Sequence, residues 1–266
     1  MNSNLIQDHP ISLAQAEKLL KGDLGEIHRD ILKKSCAPFY WHLPNGQCLN
    51  NGTMTFLRTP KKLLGVTAEH VLRSYEKCAN DQKILRLMNA YITDLPDRII
   101  DRSATLDLAT IEIDEIILKS IGKEVVPLEP SPRLPQEGKG VMLAGYHENG
   151  RRVDELPNTI NFGLFTCNEV IRRITNTQIS IMLNRDDMIN VPGIETLPQN
   201  YNLSGISGGP LIALFETQNY ISYYRLAGII VQQPDYENSD IAIERVIATR
   251  VDMIREDGKI SNIYHL

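Results

Sequence analysis

Short runs of β-branched, aromatic and other apolar residues, separated by turn residues, recur through most of this chain and constrain its fold more than any other feature. The runs span 53–58, 63–68, 84–88, 108–113, 141–146, 159–166, 179–183, 211–215 and 223–231. No long helical periods separate them, so the pattern favours antiparallel barrels or sandwiches over a parallel sheet with crossover helices. We therefore expect an all-β body.

The beginning and the middle of the chain depart from this pattern. Ser12 can cap a first helix, and apolar residues at helical spacing continue over 26–34, which predicts a helical extension. Prolines crowd 126–135 and withhold ladder donors, so this segment cannot be an interior strand. The expected organisation is a helical extension (1–35), a first barrel (36–125), a linker (126–139) and a second barrel ending in a short helix (140–266).

Length and charge fit this organisation. The 266 residues suffice for two barrels of about 100 to 120 residues each. Lysine and arginine number 28 against 33 acidic residues, and no long basic run occurs, so a nucleic-acid partner is not expected. The sequence shows neither a signal peptide nor a membrane-spanning run, so no membrane partner is expected.

The cysteines indicate the compartment. Cys36, Cys48, Cys78 and Cys167 are scattered along the chain, a spacing that favours reduced thiols and a cytoplasmic location. Neither a Cys-x-x-Cys pair nor a cluster of histidines suggests a metal site.

The segment 203–212 places Ser207 among three glycines and continues into an apolar run. A hydroxyl that attacks a carbonyl needs exposure, a tight turn and backbone N–H groups that can face the developing oxyanion, and flanking glycines permit all three. Surface turns between strands have a similar composition, so the segment alone leaves that interpretation open.

A histidine and an aspartate upstream complete a set of reactive groups. His70 follows an apolar run and Asp107 precedes another. A serine hydroxyl needs an imidazole to remove its proton, and the imidazole needs an acceptor that fixes its tautomer. His70, Asp107 and Ser207 could supply these three groups.

Three motifs resemble those of the chymotrypsin-like serine proteases. Residues 67–70, Thr-Ala-Glu-His, are similar to that family's Thr-Ala-Ala-His, and residues 107–109, Asp-Leu-Ala, to its Asp-x-Ala. Residues 205–210, Gly-Ile-Ser-Gly-Gly-Pro, are similar to its Gly-Asp-Ser-Gly-Gly-Pro. Weaker similarity covers roughly 36–257. The resemblance implies two antiparallel β-barrels.

The resemblance also implies an activity, that of an intracellular, bacterial-type serine endopeptidase acting in limited or regulatory proteolysis, with phage defence as one context. Ser207 would be the nucleophile, His70 the general base and then acid, and Asp107 the group that orients the imidazole. The backbone N–H groups of Gly205 and Ser207 would form the oxyanion hole. The substrate would be a protein or peptide, and no cofactor is implied.

Two departures from the family pattern bear on control. Ile206 stands where the family usually has an aspartate, which in many secreted members pairs with a newly cleaved N-terminus to order the oxyanion hole. Something else must hold that loop, and we expect residues 12–34 to dock either on the catalytic body or on an activating protein partner. Glu69, in place of the usual alanine, is expected on a solvated face.

Substrate preference follows from four residues if the register has no insertion. Tyr201 stands at the floor of the specificity pocket, where trypsin-type members carry an aspartate, so cleavage after lysine or arginine is not favoured. By the same resemblance, Val231 lies on the strand that lines the cleft, and the larger side chains of Gln232 and Gln233 after it would narrow the pocket. Small or medium uncharged residues are expected, although Glu195 nearby leaves a basic preference open.

Two other functions fit parts of the pattern. An α/β-hydrolase esterase shares Gly-x-Ser-x-Gly, but it needs an acid and a histidine after the serine, and only His265 follows. A chymotrypsin-like scaffold could also be kept for binding alone, with His70, Asp107 and Ser207 catalytically silent.

Overall fold

A computed structural model describes residues 21–128, 135–153, 160–184, 203–216, 222–232 and 243–261. Tyr201, Gln233 and Glu195, together with the first part of the expected helical extension, lie outside these residues. Within them, no helix is long and apolar enough to span a membrane.

The N-terminal half is one mostly antiparallel sheet with short helices at its margins. Its strands are β1 (Cys36–His42), β2 (Cys48–Arg58), β3 (Leu63–Thr67), β4 (Ile84–Leu87), β5 (Ala90–Tyr91), β6 (Ile99–Ser103), β7 (Leu108–Glu112) and β8 (Val126–Pro127). Its helices are α1 (Asp23–Ser35), α2 (Glu69–Lys77), α3 (Leu95–Arg98) and α4 (Glu115–Ser120). The strand order is β5-β4-β1-β2-β3-β7-β6, with β8 paired to β2 in parallel.

This sheet is an open path, whereas the sequence predicted a first barrel. The edge strand β5 has only two residues, and the chain then reaches the other edge, β6, through helix α3. Among the described residues, no strand pairing joins the two edges. Of the Pro-rich segment, the structure describes 126–128 and 135, and Val126–Pro127 of it form the short β8.

The C-terminal half is a closed six-stranded barrel. Its strands are β9 (Gly140–Val153), β10 (Ile160–Ile174), β11 (Gln178–Asn184), β12 (Pro210–Glu216), β13 (Ser222–Gln232) and β14 (Ile243–Arg250). They follow one another around the barrel as β10-β11-β14-β13-β12-β9. After β14 the chain forms a single 3-10 turn, Val251–Met253, at the position of the expected short helix. The predicted all-β class is confirmed: the described residues form one closed barrel and a second, mostly antiparallel sheet, with few helices.

The two sheets share an apolar core. The larger buried cluster combines Phe39, Phe56 and Leu64 of the N-terminal sheet with Met142 and Ile229 of the barrel. A second cluster lies wholly within the C-terminal barrel. Since burial of apolar surface is the main stabilising contribution to folding, the shared cluster fixes the sheets against each other and defines the cleft between them.

Candidate active site

Two hydrogen bonds join His70 to Asp107. His70 is the second residue of α2, directly after β3, and Asp107 ends the turn between β6 and β7. The Nδ1 atom of His70 lies 2.6 Å from Asp107 Oδ2. The backbone N–H of His70 donates to Asp107 Oδ1 over 2.9 Å. One carboxylate therefore fixes both the ring and the backbone of the histidine.

Local structure explains this arrangement. Ala68 precedes α2 and has no side chain that can cap its amides, so Asp107 supplies the missing acceptor, and the positive end of the helix dipole favours its charge. Asp107 has a left-handed backbone with φ of 49°, a conformation that aspartate tolerates better than most residues. The hydroxyl of Thr249 donates to the carbonyl of Leu106 over 2.7 Å and holds the turn.

Ser207 lies in the wall of the same cleft. The cleft has a volume of about 560 Å³, and its lining includes His70, Asp107, Ser207 and Val231. The hydroxyl of Ser207 makes no hydrogen bond to His70 or to any other residue that the structure describes; in free enzymes such contacts are often long and tighten when substrate binds. The turn continues into strand β12, whereas an esterase elbow must continue into a helix.

The loop that carries Ser207 has every carbonyl from Ser204 to Gly208 engaged. The pairs are Ser204 O with the N–H of Glu148, Gly205 O with the hydroxyl of Thr53, Ile206 O with the N–H of Gly209, Ser207 O with the N–H of Thr53, and Gly208 O with the hydroxyl of Thr55. Three of these donors belong to β2 and one to β9. Strands of both sheets therefore fix the orientation of the loop's peptide planes.

Those orientations determine where the amides point. In a trans peptide the C=O and N–H groups face opposite ways. The carbonyl of Ser204 shares its peptide plane with the N–H of Gly205 and is bonded by the N–H of Glu148 over 2.7 Å. The N–H of Gly205 therefore points away from Glu148. In the same way, the N–H of Gly209 bonds Ile206 O over 2.8 Å, so the N–H of Ser207 points away from Gly209. These two N–H groups have no acceptor among the described residues, whereas the amides of Gly208 and Gly209 are both bonded.

Ile206 secures the loop by packing. Its side chain is completely buried in the second apolar cluster. A Cβ atom on Gly145 of β9 would overlap Ile206, so the two backbones approach closely only because Gly145 has no side chain. Apolar contact and threonine hydrogen bonds thus hold the loop that carries Ser207.

Glu69 is not on a solvated face, contrary to the expectation from sequence. Its side chain is only 8% exposed and lies 2.7 Å from the guanidinium of Arg102 on β6. Helix α2 packs this face against the sheet, so the carboxylate is buried and needs a cationic partner. The sequence did not single out Arg102. The available signal was a set of charged residues spaced to share one helix face, namely Glu69, Arg73 and Glu76, which indicates that a cation could pair with the two acids there.

Helix α1 docks on the body of the protein. Leu32 is buried in the shared core, and the ring of His28 lies 2.9 Å from both Asn168 Oδ1 and the hydroxyl of Tyr224 in the barrel. Of the two docking sites expected for residues 12–34, the structure shows the body for 23–34. Burial lowers the pKa of His28 below its ordinary value.

A buried lysine connects α1 to the Ser207 loop. The ammonium of Lys123 donates to the carbonyl of Lys33 in the last turn of α1 over 2.6 Å and contacts the hydroxyl of Tyr146 at 3.1 Å. Burial lowers the pKa of Lys123. The backbone N–H of Tyr146 donates to Thr53 Oγ1, and that hydroxyl in turn donates to Gly205 O.

The cleft also contains side chains that the sequence analysis did not single out. Trp41, Asn51, Ser74, Thr105 and Gln178 contribute to its lining. Of the predicted specificity residues, Val231 lines the cleft and Gln232 ends β13. Within the described residues, no group of three or more His, Cys, Asp or Glu side chains is arranged to hold a metal ion.

Comparison with known proteins gives likenesses only among solved structures. No protein-family model matches the chain, and no curated protein matches it. The structure is similar to the serine endoprotease from Yersinia pestis, with a TM-score of 0.46 and 16% identity over 91% of this chain and 64% of that one. This chain therefore spans less than two thirds of the length of the Yersinia chain.

Two further solved structures are similar. The Rv3671c protease from M. tuberculosis, in its active form, gives a TM-score of 0.48 and 13% identity over 84% of this chain and 79% of that one. A structure reported for the coupled folding and binding of the intrinsically disordered Sesbania mosaic virus VPg protein gives a TM-score of 0.43 and 12% identity over 82% of this chain and 87% of that one. At these identities and TM-scores the likenesses carry no argument about the chemistry of the site.

Proposed function

We propose that this protein is a serine endopeptidase that cleaves a protein or peptide through an acyl-enzyme intermediate. The observation that carries the proposal is the His70–Asp107 pair, bonded at 2.6 Å and 2.9 Å, in one cleft with Ser207. A bonded acceptor fixes the imidazole tautomer that leaves Nε2 free to take a proton.

The proposed reaction uses these groups in sequence. Ser207 Oγ attacks the scissile carbonyl carbon while its proton passes to His70 Nε2, and Asp107 stabilises the imidazolium. The oxyanion is bonded by the N–H groups of Gly205 and Ser207, which have no acceptor among the described residues. His70 then gives the proton to the leaving amine, and a water molecule hydrolyses the ester by the same path in reverse.

A serine-directed fluorophosphonate followed by peptide mapping tests this proposal without a known substrate. Ser207 should carry the label, and both His70→Ala and Ser207→Ala should abolish it. Ser204→Ala is the matched control, because Ser204 lines the same cleft. If a folded protein is labelled at Ser204, or not at all, Ser207 is not the nucleophile. The alternative of a scaffold kept for binding alone would then be favoured.

Digestion of an unfolded protein then separates peptidase from esterase chemistry. Internal cleavage that depends on Ser207 supports an endopeptidase, whereas hydrolysis of small esters alone contradicts it.

Cytoplasmic location and an activating protein partner stay predictions. Since α1 already docks on the body, such a partner would act on a helix that is in place.

A further inference from the structure

Arg102 ties together the two elements that carry His70 and Asp107. It lies on β6, five residues before Asp107, and its guanidinium bonds two carboxylates of α2. One Nη atom donates to Glu69 over 2.7 Å and to Glu76 over 3.0 Å. The other donates to Glu76 over 2.5 Å. Glu69 immediately precedes His70.

The strand register shows why this contact reaches both groups. Arg102 is paired with Ala109 across β6 and β7, and Ala109 is paired with Thr67 across β7 and β3. One row across three strands therefore starts at Arg102, passes two residues from Asp107 and ends three residues before His70. The guanidinium is anchored to the part of the sheet from which both groups extend.

On the helix, the partners form a single face. Glu69, Arg73 and Glu76 recur at the spacing that brings side chains together on a helix. Arg73 lies 3.5 Å from the second carboxylate oxygen of Glu69. Glu76 is the more exposed of the two acids, so the pair formed by Glu69 and Arg102 is the shielded part of the network.

The chemistry of the pair favours geometric control. A buried carboxylate is tolerated only when a charge and hydrogen bonds compensate it. The planar guanidinium can bond Glu69 and Glu76 at once in a fixed fork, which the point charge of a lysine cannot reproduce. The contact therefore sets the position of the first turn of α2 as well as neutralising its charge.

We propose that Arg102 and Glu69 are positioning residues for the His70–Asp107 pair. This proposal rests on the proposed function, because the pair matters for catalysis only if His70 serves Ser207. Neither residue reaches the reacting atoms. Both act by fixing the start of α2 against the turn of Asp107, and a displacement of about 1 Å in such an arrangement can cost on the order of 10²-fold in rate.

The test compares Arg102→Met, Glu69→Gln and the double variant with the wild-type protein. Arg98→Met is the matched control, because Arg98 lies four residues away in the same segment and pairs with Asp114, outside α2. One readout is the rate of fluorophosphonate labelling at Ser207. The second is the far-downfield proton resonance of His70 Nδ1–H, assigned by its absence in His70→Ala.

Arg102→Met should slow labelling on the order of 10²-fold and should broaden or shift the resonance, while Arg98→Met changes neither. The double variant should react no more slowly than Arg102→Met, since both changes remove one shared contact. If Arg102→Met does not fold, Arg102→Lys replaces it and should show a smaller loss in the same direction.

Two results would overturn the proposal. One is a folded Arg102→Met or Arg102→Lys protein with wild-type labelling and a wild-type resonance; the other is a double variant whose losses simply add. If the wild-type protein is not labelled at Ser207, the proposed function fails instead. The resonance then still decides whether Arg102 positions His70 against Asp107.

Discussion

The hydroxyl of Thr53 donates to the carbonyl of Gly205 over 2.9 Å, so a strand of the N-terminal sheet holds the loop that carries Ser207 in the C-terminal half. The same hydroxyl accepts the backbone N–H of Tyr146 over 2.9 Å, and the N–H of Thr53 donates to Ser207 O over 2.8 Å. A single residue thus couples both sheets to the proposed oxyanion hole.

Thr53→Val should lower both stability and Ser207 reactivity. The change leaves a buried carbonyl and a buried N–H unpaired, at a cost of about 1 to 3 kcal/mol each, and it releases Gly205, whose own N–H is one of the two proposed oxyanion donors. Loss of one oxyanion contact costs on the order of 10²-fold to 10³-fold in rate. Urea unfolding and the rate of fluorophosphonate labelling measure the two effects.

Thr55→Val is the control for this prediction. Thr55 makes the same kind of bond, 2.7 Å to the carbonyl of Gly208, but the N–H of Gly208 is already bonded to Ile230. Its loss should reduce stability without a comparable fall in labelling rate. Equal losses of reactivity in the two variants would mean that Thr53 contributes only to stability.

Asp107→Asn should lower turnover on the order of 10⁴-fold, because an amide permits the wrong imidazole tautomer. The same change has an effect of this size in serine proteases in which an aspartate orients the histidine. The fold should be retained, because the amide oxygen can still accept the N–H of His70 at the start of α2. Circular dichroism together with labelling kinetics separates the two effects. Reactivity within a factor of two of wild type would exclude Asp107 from the proposed role.

The sequence predicted most strands because alternating β-branched runs are a local signal. It missed β1 (Cys36–His42), which is buried along its whole length and so lacks an alternating pattern. It also missed α2, where the short sequence after Ala68 has no capping side chain. The sequence also predicted a closed first barrel where the structure has an open sheet, because whether the two edge strands pair depends on contacts between distant parts of the chain that leave no local pattern.

The same distinction between local and long-range signals applies to the residues of the candidate site. His70, Asp107 and Ser207 could be named because their motifs are contiguous in sequence, and the structure brings all three to one cleft. Thr53 and Arg102 could not, because each acts through a contact with a residue more than 30 positions away. Such contacts leave no periodic pattern in a single sequence.

Gly208→Ala should destabilise the protein strongly. Gly208 has a φ of 92°, which disfavours any side chain, and a Cβ atom there would overlap the carbonyl oxygen of Thr53. Gly122→Ala is the matched control, since Gly122 has a φ of 64° with open space around the added atom. In urea unfolding, the free energy of unfolding should fall by about 1 kcal/mol for the control and by several times more for Gly208→Ala. Equal losses would show that the turn can shift to accept a side chain.

The stability of the protein should decrease as the pH falls through about 6.5. Burial lowers the pKa of His28, and also that of His147, below the ordinary value of 6.5. The unfolded chain therefore binds protons at a higher pH than the folded protein, and each group contributes a slope of at most about 1.4 kcal/mol per pH unit in the free energy of unfolding. The loss continues until the pH reaches the lowered pKa of the folded state.

His28→Gln should make this pH dependence shallower. The amide can still bond one of the two barrel partners of His28 but carries no titrating proton, while His147 keeps its own contribution. Urea unfolding between about pH 7.5 and about pH 5 measures the slope for both proteins. Because His28 bonds Asn168 and Tyr224, the difference between the curves reports the docking of α1 on the barrel. Parallel curves for the two proteins would show that His28 titrates alike in the folded and unfolded states, and α1 would then be docked without its help.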